Sequence, residues 1–273
     1  MNVLVTLNSN YLNQLVVMLT SLTQSNPGIH FMIYIAHTSM TKENFMFINQ
    51  LIDTENCTIV EMKISNNLFH NTPITKRYPK EMYFRILAAQ FLPEALDRVL
   101  YLDPDLVVIN SLNTLYSIDF KANLIAAATD VYQPLERLNK VRLRMPKNST
   151  YVNSGVMMLN LFMLRQQQKI QEVFDYIEEY RNRLIFPDQD VINGLYAGRT
   201  IIIDPKIYNL SERYWLIHNL KPKNKGCKID IDWIRRNTVI IHYCGKNKPW
   251  KENYKGELGT FYRSFQKYLY TLG

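Results

Sequence analysis

The apolar run at residues 3–7 stops at the polar cluster Asn8-Ser9-Asn10, a pattern that predicts a buried strand feeding a loop. Leu12, Leu15, Val16, Leu19 and Leu22 then recur at helix spacing across residues 11–23. Residues 31–36 read as a second strand, 42–52 as a helix and 58–62 as a third strand. This alternation predicts an α/β fold with parallel strands and right-handed crossovers. Residues 63–80, with Pro73 and Pro79, read as irregular and 82–91 as a helix. A strand at 99–102 ends at Asp103-Pro104-Asp105, and 124–128 is another. The polar stretch 130–150 reads as a loop or lid, 151–160 as a strand interrupted by Gly155, and 161–183 as helical. A short helix at 190–196 and a strand at 200–203 precede a mostly irregular 205–236. A last strand at 239–243 and a closing helix at 254–270 complete the pattern.

Composition narrows the class. The chain has 273 residues, 47% hydrophobic and 21% charged, which excludes a disordered or fibrous protein. No apolar run approaches the roughly 18 residues of a membrane span. The first residues lack the basic region of a signal peptide, so none is expected. Cys57, Cys227 and Cys244 are too few and too scattered for a disulfide framework, and a reducing cytoplasm is the expected home.

Charge is uneven. Residues 206–273 hold 14 Lys+Arg against 5 Asp+Glu, whereas 1–205 hold 18 against 19. Tyr243, Trp250, Tyr254, Phe261, Tyr262, Phe265, Tyr268 and Tyr270 are interleaved with the basic residues. Such a tail suits a phosphate-rich partner, whether nucleotide, anionic membrane surface or nucleic acid, and equally a plain solvated face.

Two segments carry candidate chemistry. Asp103 and Asp105, two apart in extended backbone, point to one side of the chain where a strand emerges. Carboxylates so close repel unless a cation lies between them, and a hard divalent ion fits; a solvated Asp-Pro-Asp turn is the competing reading. The second segment is His242-Tyr243-Cys244-Gly245-Lys246-Asn247-Lys248-Pro249-Trp250. His242 offers an imidazole, Gly245 a close backbone approach to phosphate, and Lys248 a point charge. An ordinary basic turn after a strand is the alternative.

These segments, with Asn10-Tyr11, Tyr83-Phe84-Arg85, Asn153-Ser154-Gly155-Val156-Met157-Met158-Leu159-Asn160 and Asp188-Gln189-Asp190-Val191-Ile192-Asn193, resemble the family 8 glycosyltransferases in order and spacing over nearly the whole chain. The family is the retaining group that includes glycogenin and bacterial lipopolysaccharide galactosyl- and glucosyltransferases. The resemblance implies a GT-A fold, Rossmann-like with a mainly parallel central sheet flanked by helices. It implies a catalytic domain over residues 1–250, beyond which 251–273 reads as a basic aromatic helical tail. Asp103, Asp105 and His242 would hold Mn²⁺, with Mg²⁺ the other hard cation that fits. The donor would be UDP-galactose or UDP-glucose and the acceptor a saccharide or glycolipid. Leu7, Asn8, Asn10 and Tyr11 would contact the nucleoside, with Tyr11 stacked on the base. Arg85 would help bind the sugar, Pro104 would sit within the metal motif, and Gly245 and Lys248 would grip the phosphates. Asn153, Asp188 and Gln189 would line the reacting face, with Asp130 a further carboxylate.

The leaving UDP develops charge that a cation and Lys248 would stabilise. The amide of Gln189 is a poor covalent nucleophile, whereas Asp188 or Asp130 is chemically stronger. The expected course is front-face displacement by the acceptor hydroxyl, with a UDP oxygen as base, rather than double displacement. Asn8 stands where some relatives carry aspartate, and the Pro104 nitrogen has no hydrogen to donate. The expected enzyme works in surface-glycan assembly, with the tail in peripheral contact with the inner membrane face and no nucleic-acid partner. Two other readings are a haloacid-dehalogenase-type phosphatase using Asp103 and Asp105, and a non-catalytic sugar-nucleotide-binding module.

Overall fold

A computed structural model describes residues 1–65, 72–73, 79–129, 133–221 and 226–272, with the side chains of 133, 134 and 270–272 excepted. Strands β1 (Asn2–Thr6), β2 (Phe31–His37), β3 (Cys57–Lys63), β4 (Arg98–Leu102), β6 (Ile125–Ala127), β7 (Val156–Asn160) and β8 (Thr200–Ile202) form a seven-stranded sheet. Its order is β3-β2-β1-β4-β7-β6-β8. Strands β5 (Leu106–Val108) and β9 (Ile240–His242) pair separately as an antiparallel ribbon. In the main sheet every pairing is parallel except the two made by β7. The architecture is the expected α/β fold with a mainly parallel sheet.

Strands β1 and β4 read as near-continuous apolar runs because both faces of the sheet are covered. One face packs Val3, Val5, Leu100 and Leu102 against Leu15, Leu19 and Leu22 of the helix Leu12–Gln24. The other packs Leu4, Val99 and Tyr101 against Tyr83, Phe84 and Leu87.

The reversal of β7 positions the site. Strands β1 and β4 leave the sheet at the edge where β7 enters it, since Leu102 pairs with Val156. The residues before β7 therefore join the residues after β1 and β4. Asp103 N–H donates to Gly155 O at 2.8 Å across this junction.

Several expected elements differ. The strand expected over 151–160 begins only at Val156; residues 151–155 are a loop. The stretch 130–150, expected as a loop, contains the helix Gln133–Arg142. The helix expected over 82–91 is a 3₁₀ turn sequence, Lys80–Leu87, ending in the short α-helix Ala88–Phe91. The helical pattern 161–183 is broken into Leu161–Gln167, Ile170–Glu179 and a 3₁₀ turn, Arg181–Arg183. The stretch 205–236, expected to be irregular, holds Pro205–Tyr208, Glu212–Leu220 and Ile231–Asn237. Their starts are capped: Asp204 accepts from Lys206 N–H, Ser211 from Tyr214 N–H and Asp230 from Trp233 N–H.

The closing helix runs Gly259–Leu272. Leu258 and Tyr262 are buried with Val17, Val107, Trp215, Ile234 and Tyr243, and Phe261, Phe265, Tyr254 and Trp250 pack around them. Most aromatics of the basic tail therefore pack on the core, and the side chains it presents to solvent include Lys255, Arg263 and Lys267.

Candidate active site

Asp103, Asp105 and His242 come together although 137 residues separate Asp105 from His242 in sequence. The ribbon does this, because Leu106 pairs with His242 and so sets the histidine beside the Asp103-Pro104-Asp105 turn. The donor atoms of the three side chains lie within 4.8 Å of one another. His242 Nε2 is 3.1 Å from Asp105 Oδ1 and 3.7 Å from Asp103 Oδ2. Asp105 and His242 are buried, and Asp103 is partly exposed.

Gly155 closes the cradle. A Cβ there would lie 2.3 Å from His242 Cε1 and 2.6 Å from Asp103 Oδ2, closer than any real contact. Two carboxylates and one imidazole, gathered on a surface kept bare by glycine, fit a hard or borderline divalent cation.

Cationic side chains already flank the carboxylates. Lys248 Nζ donates to Asp105 Oδ2 and, at 2.8 Å, to Tyr243 O. Burial acts to raise the Asp105 pKa, yet Lys248 and His242 hold it well below the usual carboxylate range. Burial likewise opposes the charged forms of His242 and Lys248. The hydrogen bond and charge of Asp105 outweigh it in both and raise their pKa values.

Arg85, buried, bridges two carboxylates: Nη2 lies 3.0 Å from Asp103 Oδ1 and Nε 3.3 Å from Asp188 Oδ2. Its guanidinium also stacks over the Tyr101 ring at 4.3 Å, and Tyr101 OH donates to Asp103 Oδ1 at 2.7 Å. Asp188 accepts from Ser154 Oγ at 3.1 Å, and burial raises its pKa against the opposing charge of Arg85.

The sugar-pocket candidates form one network. Gln189 Oε1 accepts from Asn153 Nδ2 at 3.1 Å and from Ser154 N–H at 3.3 Å, while its Nε2 donates to Tyr151 OH at 3.0 Å. Tyr151 OH donates to Asp190 Oδ1 at 2.6 Å, and Arg142 grips both oxygens of Asp190. The helix Gln133–Arg142 is thereby tied to the start of the helix Pro187–Tyr196.

The loop after β1 supplies the other side. Leu7 is buried; Asn8 caps the turn Ser9–Tyr11 by accepting from Asn10 N–H; Asn10 is exposed. Tyr11 lies edge-on to Trp250, ring centres 6.4 Å apart, so this loop meets the segment that carries Lys248. Gly245 has φ +103°, a conformation that only glycine adopts readily. Pro104 is buried between the two aspartates. Asp130 lies outside the described residues.

Sequence reasoning missed Asn209, whose Oδ1 accepts from His242 Nδ1 at 2.8 Å, and the participation of Tyr101, Tyr151 and Gly155. Gly155 lies inside a quoted motif, and Tyr101 in the strand that ends at Asp103. Asn209 lies in a stretch read as irregular and had no local signal.

Among curated proteins, the chain is 30% identical over 251 residues to a lipopolysaccharide 1,2-glucosyltransferase of Escherichia coli K12, covering 92% of this chain and 72% of that protein. It is 25% identical to general stress protein A of Bacillus subtilis, covering 76% and 72%. Among solved structures, the galactosyltransferase LgtC in complex with donor and acceptor sugar analogues superposes with a TM-score of 0.80 at 22% identity, covering 98% of this chain and 96% of that one. This last likeness concerns the fold, which is GT-A. The sequence profile described as "Glycosyl transferase family 8" matches residues 2–254, and the chain accordingly belongs to the family 8 glycosyltransferases.

Proposed function

We propose that this chain is a Mn²⁺-dependent, retaining hexosyltransferase that moves galactose or glucose from a UDP-sugar to a saccharide or glycolipid acceptor. The observation that carries the proposal is the convergence of Asp103, Asp105 and His242 around a glycine-lined cradle, with Lys248 beside it. A cation held there would neutralise the donor pyrophosphate and stabilise the charge that grows on departing UDP. Lys248 would move from Asp105 to the phosphates, adding a second positive group on the leaving side. Asn10 and Tyr11 would receive the nucleoside. Asn153, Asp188 and Gln189 would face the sugar.

The hydrogen bonds support same-side displacement. The Gln189 carbonyl is committed to two donors, and Asp188 is paired with Arg85 and Ser154. Neither is poised as a free covalent nucleophile, so the acceptor hydroxyl would attack on the face that UDP leaves, passing its proton to a UDP oxygen.

A panel of UDP-sugars incubated with Mn²⁺, read by UDP release without acceptor, tests this reading. UDP-galactose or UDP-glucose should be hydrolysed slowly, and a chelator should stop the release. No release from any UDP-hexose, or release indifferent to chelator, would sink it.

The tail reading belongs to the same proposal: a peripheral contact with the anionic inner face of the plasma membrane. It is supported by the 14 Lys+Arg against 5 Asp+Glu in residues 206–273. No helix among the described residues is long and apolar enough to cross a membrane. Each exposed basic side chain near an anionic surface contributes about 1 kcal/mol. Changing Lys255, Arg263 and Lys267 together to glutamine should therefore weaken binding to anionic vesicles by roughly 100-fold. Vesicle flotation that is unchanged by the triple substitution would remove the membrane contact. Substitution is a cleaner test than deletion, because Leu258 and Tyr262 belong to the core.

A further inference from the structure

We infer that Asn209 is a positioning residue for the metal site, holding a hydrogen on His242 Nδ1 so that Nε2, the nitrogen facing the aspartates, is the one that would yield its hydrogen to a cation. The inference rests on the metal reading above and adds a residue that no motif contains.

One backbone group fixes the polarity of the whole chain of contacts. Gly155 N–H is a donor, and it donates to the Asn153 side chain at 2.9 Å. The atom it meets must therefore be the Asn153 oxygen, which fixes that amide against a flip. The Asn209 side-chain atom 3.2 Å from the same oxygen must then be its NH₂ group. The other end of the Asn209 amide is its oxygen, and it lies 2.8 Å from His242 Nδ1. A carbonyl oxygen only accepts, so Nδ1 carries the hydrogen. The remaining ring nitrogen, Nε2, is the one that faces Asp105 and Asp103. A single backbone amide thus sets the imidazole through two side-chain amides.

The location of Asn209 is as constrained as its polarity. The residue is 1% exposed. It ends the short helix Pro205–Tyr208, and the chain beyond it runs beside β9, with Leu210 N–H donating to Ile240 O and His242 N–H to Leu210 O. Asn209 is therefore carried on the backbone that flanks the histidine. It cannot withdraw without breaking that pairing. A histidine that binds a metal through one nitrogen commonly donates its other N–H to such a fixed acceptor, and loss of the acceptor weakens metal binding about 10–100-fold.

The test is a Mn²⁺ titration read by the electron paramagnetic resonance of free Mn²⁺, in the presence of UDP, for the unmodified chain and three variants. Asn209→Leu, which removes the acceptor at similar volume, should weaken Mn²⁺ binding about 10–100-fold. Asn209→Asp keeps an oxygen against Nδ1 while losing the donor to Asn153, and should lose clearly less than the leucine variant. Asp105→Asn should abolish binding. If the unmodified chain binds no Mn²⁺, the metal reading fails and takes this inference with it. If the unmodified chain binds and Asn209→Leu binds equally well, the inference alone is overturned. Equal losses in the leucine and aspartate variants also overturn it, since a merely structural role does not distinguish them. A second readout requires no variant. In the Cd²⁺-loaded chain the His242 Nδ1–H should give a slowly exchanging proton resonance in ¹⁵N-edited spectra. Its absence overturns the assignment.

Discussion

Asp105→Asn should leave the fold intact and abolish Mn²⁺-stimulated hydrolysis of the UDP-sugar, with a loss of at least about 10²–10³-fold in turnover, the scale for one preorganised charge-stabilising group. The substitution preserves shape and keeps an oxygen able to accept from His242 Nε2 or Lys248 Nζ, both of which now reach Asp105. Core packing is untouched, so the variant should still fold, with a lowered thermal midpoint because the buried Lys248 and His242 lose their counter-charge. What disappears is the charge. The three-residue cluster falls from two carboxylates to one, and the carboxylate lost is the one that Lys248 and His242 hold ionised. Circular dichroism of the variant and UDP release with and without Mn²⁺ check the two halves separately. A folded Asp105→Asn protein with undiminished metal-dependent release would falsify the assignment.

Gly155→Ala should be nearly as damaging, through space rather than charge. The new methyl would meet His242 Cε1 at 2.3 Å and Asp103 Oδ2 at 2.6 Å. His242 is 1% exposed and is held at both ring nitrogens, by Asn209 and Asp105, so it cannot swing aside without breaking one of those bonds. Asp103 is held by Arg85 and Tyr101. The expected result is overpacking of about 1–3 kcal/mol in stability together with a displaced ligand. Displacement of about 1 Å at a reacting centre costs on the order of 10²-fold. A urea titration gives the first quantity and Mn²⁺-dependent UDP release the second. Alanine at 155 with unaltered Mn²⁺ affinity and turnover would show that the cradle is not where the cation sits.

Much of the fold was legible because its signal is local. Strands β1, β2, β4 and β9 are short apolar runs ended by polar residues, and their places agree with the pattern within a residue or two. The helix Glu212–Leu220 was not legible in that way: Trp215 is its one buried residue, so it carries no apolar stripe. Its visible sign was the cap, Ser211 before Glu212. The helix Gln133–Arg142 was hidden for a similar reason, since Leu138 and Val141 point to solvent and its anchor is a polar one, Arg142 on Asp190. The reversal of β7 is a matter of pairing, which no periodicity records.

The candidate site divides along the same line. Asp103, Asp105, Arg85, Gln189, His242 and Lys248 were named because each sits in a short distinctive segment. The phosphatase alternative needed only Asp103 and Asp105, and it falls with the family assignment. Asn209 has no such segment. It acts on His242 from 33 positions away, through a bridge between its loop and β9 that composition does not encode. Arg85, expected from the resemblance to help bind the sugar, has its guanidinium between Asp103 and Asp188, where it keeps two acidic groups side by side.

The resting grip of Lys248 on Asp105 has a consequence for how the protein lives between turnovers. With Arg85 shared by Asp103 and Asp188, and Lys248 on Asp105, each acidic side chain at the centre is paired with a cationic one. The polypeptide is therefore electrostatically self-sufficient before any substrate arrives. A metal and a nucleotide arriving there would exchange places with an ammonium group rather than fill an unbalanced hole.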